Sequence, residues 1–241
     1  MRDVGIIFRR EMGAYFNSPI AYIFIIVFLI LAGGFYTNGF FLNGVADMRD
    51  FFGTLPLYLL FFVPALTMRL WAEDQRQGTF ELLMTLPMRP TDIVLGKYLA
   101  SLAFYGITLA CTFTIPLSVA WLGDPDLGAI TCGYMGALLL GGLFLAVGIF
   151  VSGLFKDQIT AFVLTLLACS LFVLAGTPFF VAILDGWIKG LGSFLSGAFA
   201  ISPHFEGIQR GVLGVSDVVF FVSFAVVFLL LNALSLEGRK Y

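Results

Sequence analysis

Apolar residues along this chain are gathered into six long runs, and polar residues collect between them. A membrane-spanning helix needs about 20 consecutive apolar residues. The runs cover residues 20–42, 51–70, 98–122, 129–155, 159–184 and 218–236. None shows the strict apolar–polar alternation of membrane barrel strands, so the pattern predicts an all-α integral membrane protein with six transmembrane helices.

The N-terminal stretch RDVGIIFRREMGAYFNSP has a second kind of pattern. One helical face is polar (Asp3, Arg10, Asn17), and the apolar residues share another: Val4, Ile7, Phe8, Met12, Tyr15 and Phe16. Residues 1–19 are therefore predicted to form an amphipathic helix in the headgroup layer, with Arg9 and Arg10 as membrane-interface anchors. We expect Ser18-Pro19 to end it. The simpler alternative is a positively charged lead-in to the first span.

Between the second and third runs, residues 73–92 interrupt the apolar pattern with charge. Arg69 ends the second run, where its side chain can reach lipid phosphates. The charged residues that follow (Glu73, Asp74, Arg76) are expected in water. Gly78 is expected to break the helix and Thr79 to cap a new one, with Glu81 in its first turn.

The new helix is short and apolar nearly all round, with apolar residues at i, i+3, i+4 and i+7: Phe80, Leu83, Met84 and Pro87. Leu82 and Leu86 widen this surface. It either docks on a partner protein or dips into the lipid surface, and the spacing alone does not distinguish these alternatives. Thr91 is expected to cap the helix that follows.

Three further features qualify the six-helix prediction. Pro56 and Pro64 are expected to kink the second span. Small residues recur four apart in the fourth span, which indicates either close packing within the chain or a subunit interface. Residues 185–217 are too apolar for a free loop and too rich in glycine for a span, so they predict short outer helices, re-entrant or interfacial.

Composition supports a membrane protein. The chain is 60% hydrophobic and 12% charged, against about 25% charged in soluble domains. With both termini in the cytoplasm, ten of the 13 lysines and arginines lie inside and three outside, as the positive-inside rule favours. A net charge of −2 without a clustered basic face gives no sign of nucleic-acid binding.

The sequence carries no recognisable catalytic machinery. It has no phosphate-binding loop and no HExxH motif. The candidates for an enzyme are four polar residues predicted on the outer side: Asp124, Asp126, His204 and Glu206. Arg69 is the one residue within the six runs that is Asp, Glu, Lys, Arg or His, whereas ion-coupled carriers usually place such groups at mid-membrane. Uphill transport by this chain would therefore take its energy from another subunit.

Three blocks resemble permease subunits of the ABC type-2 exporter superfamily, most closely gliding-motility-associated GldF-like permeases. FRREMGAYFNSPIAYI (8–23) resembles the family's elbow helix entering the first span. PALTMRLWAEDQRQGTFELLMTLPMRPTDIVLGKY (64–98) resembles the signature whose Gly-Thr-x-Glu-Leu-Leu core forms a coupling helix. The third block, residues 201–241, resembles the last outer segment and final span.

The resemblance implies a single permease domain, residues 1–241, in a bacterial inner membrane. Two such subunits, identical or related, would each sit on a nucleotide-binding ATPase that holds ATP and magnesium; no cofactor or metal is expected in this chain. The docking contact would come from Gly78, Thr79, Phe80, Glu81, Leu82, Leu83 and Met84, which favours docking over a dip into lipid. A membrane anchor of an envelope or motility complex that transports nothing is the competing hypothesis.

Overall fold

The computed structural model describes residues 2–43, 47–85, 88–123 and 125–238, and within these ranges the regular structure is entirely helical. The helices, in chain order, are α1 Arg2–Phe16, α2 Pro19–Asn43, α3 Arg49–Thr67, α4 Arg69–Arg76, α5 Thr79–Thr85, α6 Pro90–Cys111, α7 Thr114–Leu122, α8 Leu127–Leu154, α9 Gln158–Leu174, α10 Pro178–Trp187, α11 Leu191–Phe199, α12 Ser202–Gln209 and α13 Val215–Glu237. The all-helical prediction is confirmed for these residues.

Five stretches of helix are long and apolar enough to cross a membrane: Pro19–Leu42, Arg49–Arg76, Pro90–Leu122, Leu127–Leu154 and Val215–Glu237. A sixth span exists if α9 and α10, which bend by 92° at their junction, are counted as one. The chain is therefore a multi-pass membrane protein with five or six spans. The second and third stretches extend beyond the apolar runs, because α4 and the first turns of α6 continue them at one end of the bundle.

The bend between α9 and α10 has a local cause. Pro178 lacks a backbone donor and disfavours helical geometry at Thr177, which instead adopts an extended conformation and caps α10. Gly176 also packs closely against Ser202, because a Cβ added at Gly176 would lie 2.6 Å from the Ser202 Oγ. The span expected over 159–184 thus consists of two helices bent by 92°.

Helix α8 lies at the centre of the bundle and packs against α3, α6, α9, α12 and α13. Its glycines permit this close packing. A Cβ on Gly141 would clash with the Tyr105 ring, and one on Gly148 would clash with Thr67. At Gly141 and Gly148, therefore, the small residues of α8 pack within the chain, which is the first of the two alternatives expected from the sequence.

Large apolar side chains cover the outside of the bundle. On α2 these include Ile23, Ile26, Ile30 and Phe35, and on α13 Val219, Val226, Leu230 and Leu234. In a multi-pass protein such a continuous apolar belt is the surface that contacts lipid.

The segment between α9 and α13 forms short helices, as predicted, although the first begins at Pro178 rather than at 185. Helices α10 and α11 pack on each other, and the Asp185 carboxylate accepts hydrogen bonds from the Gly192 and Ser193 N–H groups at the start of α11. Helix α12 packs on α8 through Ile208, which lies against Gly136. These helices lie at the opposite end of the bundle from α1, α4 and α5.

Candidate coupling site

Helix α5 is set apart from the spans by a sharp turn. Gly78 has a φ of +72°, a left-handed conformation that costs glycine little. As predicted, this residue ends the preceding helix, and α5 then runs from Thr79 to Thr85. Leu86 and Pro87, which were expected to extend its apolar surface, lie outside the described residues, and Met84 is described only in its backbone.

The apolar residues of α5 do not all face outward. Leu83 is 5% exposed, and the Phe80 ring lies edge-on against Trp71, 5.9 Å between centroids. Leu82 on the other side is 68% exposed, and Glu81 and Thr85 are exposed beside it. Among the α5 side chains that the structure describes, Glu81, Leu82 and Thr85 are the exposed ones, while Phe80 and Leu83 fix the helix to the chain itself.

Thr79 does not act as the predicted helix cap. It is the first residue of α5, and its hydroxyl donates to Asp74 Oδ1 at 3.0 Å. The prediction for Thr91 was also wrong, because α6 begins at Pro90 and the residue before it, Arg89, occupies the cap position without a side-chain hydrogen bond. In both places proline or glycine fixes the turn, and the threonine is not needed to do so.

A buried charged cluster lies beneath α5. The Lys97 ammonium is 1% exposed; it donates to Asp74 Oδ2 at 2.7 Å, to Glu11 Oε1 at 3.0 Å and to the Leu70 carbonyl at 2.6 Å. It also lies 4.7 Å from the centre of the Trp71 ring. Arg10 Nη2 donates to the other Asp74 oxygen at 2.7 Å. Two cations thus balance two carboxylates, and the cluster joins α1, α4, α5 and α6.

The expectation that Asp74 needs water was wrong. The carboxylate is sheltered because Lys97, Arg10 and Thr79 supply the hydrogen bonds that water would otherwise make. Lys97 is one of the ten cationic residues counted on the inner side, and its side chain projects into the protein from the second turn of α6. A signal for this existed in the sequence: Glu11 shares a helical face with Ile7 and Tyr15, so the buried stripe of α1 contains a carboxylate that requires a cation.

Helix α4 is also held by α8. At the break between α3 and α4, the Ser152 hydroxyl accepts from the Trp71 and Ala72 N–H groups at 3.2 and 3.4 Å and donates to the Met68 carbonyl at 3.1 Å. Gln75 donates to the Gly153 carbonyl at 3.1 Å. The boundary between the two helices of this span therefore lies at Met68. Pro56 and Pro64, where kinks were expected, both lie within α3.

The three arginines expected at the membrane interface differ in their surroundings. Arg9 is exposed. Arg10 is partly exposed and bound to Asp74. The Arg69 guanidinium lies over the Tyr15 ring, 4.8 Å from its centre, and its Nη1 is 3.5 Å from Ser18 Oγ.

The residues considered for catalysis have structural partners at the other end of the bundle. His204 Nδ1 lies 2.7 Å from Asp217 Oδ1, and its ring stacks on Phe220. Asp126 caps α8 by accepting from Gly128 and Ala129. Glu206 pairs with Arg210 one turn away, and Asp124 lies outside the described residues. No group of three or more potential metal ligands occurs among the residues that the structure describes.

A family model described as "ABC-2 family transporter protein" matches residues 42–234, well over half of the chain. The chain belongs to the ABC-2 transporter family. The match includes α4, α5 and the Lys97 side of the charged cluster, whereas α1 precedes it. None of the curated proteins compared with this ABC-2 chain matches it. Membership makes it the membrane component of a transporter and not an ATPase, in keeping with the missing phosphate-binding loop.

Proposed function

We propose that this ABC-2 protein is a permease subunit that forms the translocation path and is driven through α5 by a separate nucleotide-binding subunit. That subunit would hold ATP and magnesium, and a second permease, identical or related, would complete the transporter. The narrower assignment to the GldF-like permeases rests on the three sequence blocks described above. The bacterial inner membrane with both termini in the cytoplasm is the location that the lysine and arginine distribution favours.

The observation that carries this proposal is the two-sided character of α5. One side is fixed to the chain by Leu83 and by Phe80 on Trp71, and the other presents the exposed leucine Leu82 beside Glu81. A short helix that projects an apolar side chain from a firm base is suited to docking in a groove of a partner. A loose loop would absorb a partner's movement, but a helix fixed in this way passes it on.

Two sets of contacts supply a route from α5 to the spans. Thr79 bonds to Asp74, and Asp74 bonds to Lys97 in α6 and to Arg10 in α1. Helix α4, which leads directly into α5, is held to the end of α8 by Ser152 and Gln75. A displacement of α5 by a partner would therefore act on α1, α6 and α8 together.

The docking step can be tested by co-purification. The chain would be produced with the ATPase encoded beside its gene, as the wild type and as Leu82→Asp. Loss of at least tenfold of the bound ATPase is expected, because a desolvated anchor residue at an interface is worth about 2 kcal/mol or more. Leu127→Asp is the matched control, since Leu127 is 69% exposed but lies at the other end of the bundle.

Phe80→Asp and Leu83→Asp are poor tests of docking, because both side chains pack against the chain and their loss would disturb α5 itself. Undiminished ATPase retention by Leu82→Asp would contradict docking through α5. Nucleotide hydrolysis by the assembled complex then separates transport from a passive anchor. A permease should change the hydrolysis rate of its ATPase, whereas an anchor has no need to.

A further inference from the structure

A cavity of about 240 Å³ lies between α1 and α4, next to the charged cluster. Its wall contains three cations (Arg10, Arg69, Lys97) and three carboxylates: Glu11, Glu73 and Asp74. Arg10 and Lys97 are paired with Glu11 and Asp74. The other two charges, Arg69 and Glu73, form no ion pair with any residue that the structure describes.

These two charges lie near each other without forming an ion pair. They lie one helical turn apart on α4, which places their Cβ atoms about 6 Å apart. The Arg69 guanidinium lies over the Tyr15 ring and near the Ser18 hydroxyl, and the Glu73 carboxylate accepts a hydrogen bond from the neutral Gln77 amide. The cavity thus offers one unneutralised positive group and one unneutralised negative group side by side.

A second observation points to a missing partner at the same place. Tyr15 forms part of the cavity wall, is 1% exposed, and its hydroxyl is buried with no hydrogen-bond partner among the described residues. A buried hydroxyl without a partner is energetically unfavourable. Most buried polar groups in native proteins do have a protein or water partner, so this hydroxyl calls for one.

The position of the cavity fits a lipid headgroup. Ser18 ends the turn between α1 and α2, and the exposed apolar side chains of α2 begin with Ile20 and Ile23 directly after it. The cavity therefore lies where the lipid-facing belt meets the polar end of the bundle, which is the depth of phosphates and headgroups.

We propose that this cavity binds a zwitterionic phospholipid headgroup that carries a primary ammonium, as in phosphatidylethanolamine. The phosphate lies at Arg69 and Ser18, and the ammonium donates to Glu73. A purely anionic headgroup leaves Glu73 unpaired. A choline headgroup brings a bulkier cation that has no N–H to donate. The bound lipid fastens α1 to α4 and so stabilises the base of α5, whether or not an ATPase docks there.

The test measures thermal unfolding of the full chain in detergent with one added phospholipid: dioleoyl phosphatidylethanolamine, phosphatidylglycerol or phosphatidylcholine. At about ten times the half-saturating concentration, phosphatidylethanolamine should raise the Tm by about 3–6 °C, and the other two lipids by clearly less. Arg69→Gln should abolish the rise, and Glu73→Gln should make phosphatidylethanolamine no better than phosphatidylglycerol. Arg210→Gln, an exposed change at the far end, should leave the rise intact.

Each comparison is made within one variant with and without lipid, so a lower baseline Tm does not obscure it. If Arg69→Gln does not fold, Ser18→Ala should still reduce the rise, and native mass spectrometry should show fewer retained lipids. Equal stabilisation by all three lipids, or an unchanged rise in Arg69→Gln or Ser18→Ala, would overturn the proposal. Water-soluble phosphoethanolamine alone should give no rise, and an equal rise would overturn the assignment to a lipid.

Discussion

At the residue scale, the most consequential side chain is Lys97. An ammonium group 1% exposed is tolerated only because two carboxylates and a carbonyl surround it. Such a cluster contributes little net stability compared with apolar packing, but removing one charged member and leaving its partner buried is costly. It therefore fixes the relative positions of α1, α4 and α6 more than it strengthens the fold.

Lys97→Met should lower the free energy of unfolding by about 3–5 kcal/mol, because Glu11 would remain buried without its ammonium partner and Asp74 would keep only Arg10 as an ion-pair partner. Thermal unfolding of the purified chain measures the loss. Lys156→Met, an exposed lysine beyond the end of α8, is the control and should change stability by about 0.5 kcal/mol or less. Adding Asp74→Asn to Lys97→Met should restore part of the loss; equal effects of the two lysine changes would show that the buried pairing is unimportant.

At the scale of the element, the docking of α1 on α6 depends on one glycine. A Cβ at Gly96 would lie 2.6 Å from the Ile7 Cβ and 3.1 Å from the Val4 carbonyl oxygen. The obstruction is a branched carbon and backbone, neither of which can rotate away. Helix α1 can therefore lie against α6, and bring Glu11 to Lys97, only while this position has no side chain.

Gly96→Ala should push α1 away and destabilise the protein by about 1–3 kcal/mol, as overpacking does. Gly106→Ala lies on the same helix, where the nearest atom to an added Cβ is Leu138 Cδ1 at 3.9 Å. This control should be neutral or stabilising, because alanine favours helix over glycine by about 1 kcal/mol. Thermal unfolding and protease sensitivity of the first 18 residues would report both; identical behaviour of the two variants would contradict the close contact.

The joint between α3 and α4 depends in the same way on Ser152. Ser152→Ala leaves two N–H groups and the Met68 carbonyl without their side-chain partner at a buried break, and should cost about 1–3 kcal/mol. Ser170→Ala removes a hydroxyl that only bonds back to its own helix at an exposed position, so it should be nearly neutral. A Tm for Ser152→Ala equal to that of Ser170→Ala would mean that water replaces the hydroxyl at the joint.

Features that depend on neighbouring residues in the sequence could be predicted, whereas features that depend on contacts between distant helices could not. The spans, the end of α1 at Ser18-Pro19 and the turn at Gly78 could be predicted because they depend on local periodicity, proline and glycine. The inward face of α5 and the burial of Lys97 could not, because they depend on Trp71 and Glu11, which other helices bring into contact. The bend after α9 was missed because hydropathy continues smoothly through Thr177-Pro178 while the backbone cannot.

At the scale of the whole molecule, the two ends of the bundle differ in chemistry. One end carries the charged cluster and α5, and the other carries the short helices α10 to α12 with the His204–Asp217 and Glu206–Arg210 pairs. Under the proposed function the ATPase would dock at one end only, so the protein would work in a single orientation. If an ATPase drives α5, then Leu82 must face the cytoplasm.

Labelling with a membrane-impermeant maleimide tests this orientation. In a background with Cys111, Cys132 and Cys169 replaced by alanine, Leu82→Cys should react only in inside-out vesicles. Lys189→Cys, an exposed position between α10 and α11, should react only in right-side-out vesicles. Each variant controls for the sealing of the vesicles in the other. Reaction of Leu82→Cys from outside, or of both positions from one side, would be incompatible with energy entering through α5, because the ATP supply and the docking helix would then lie on opposite sides of the membrane.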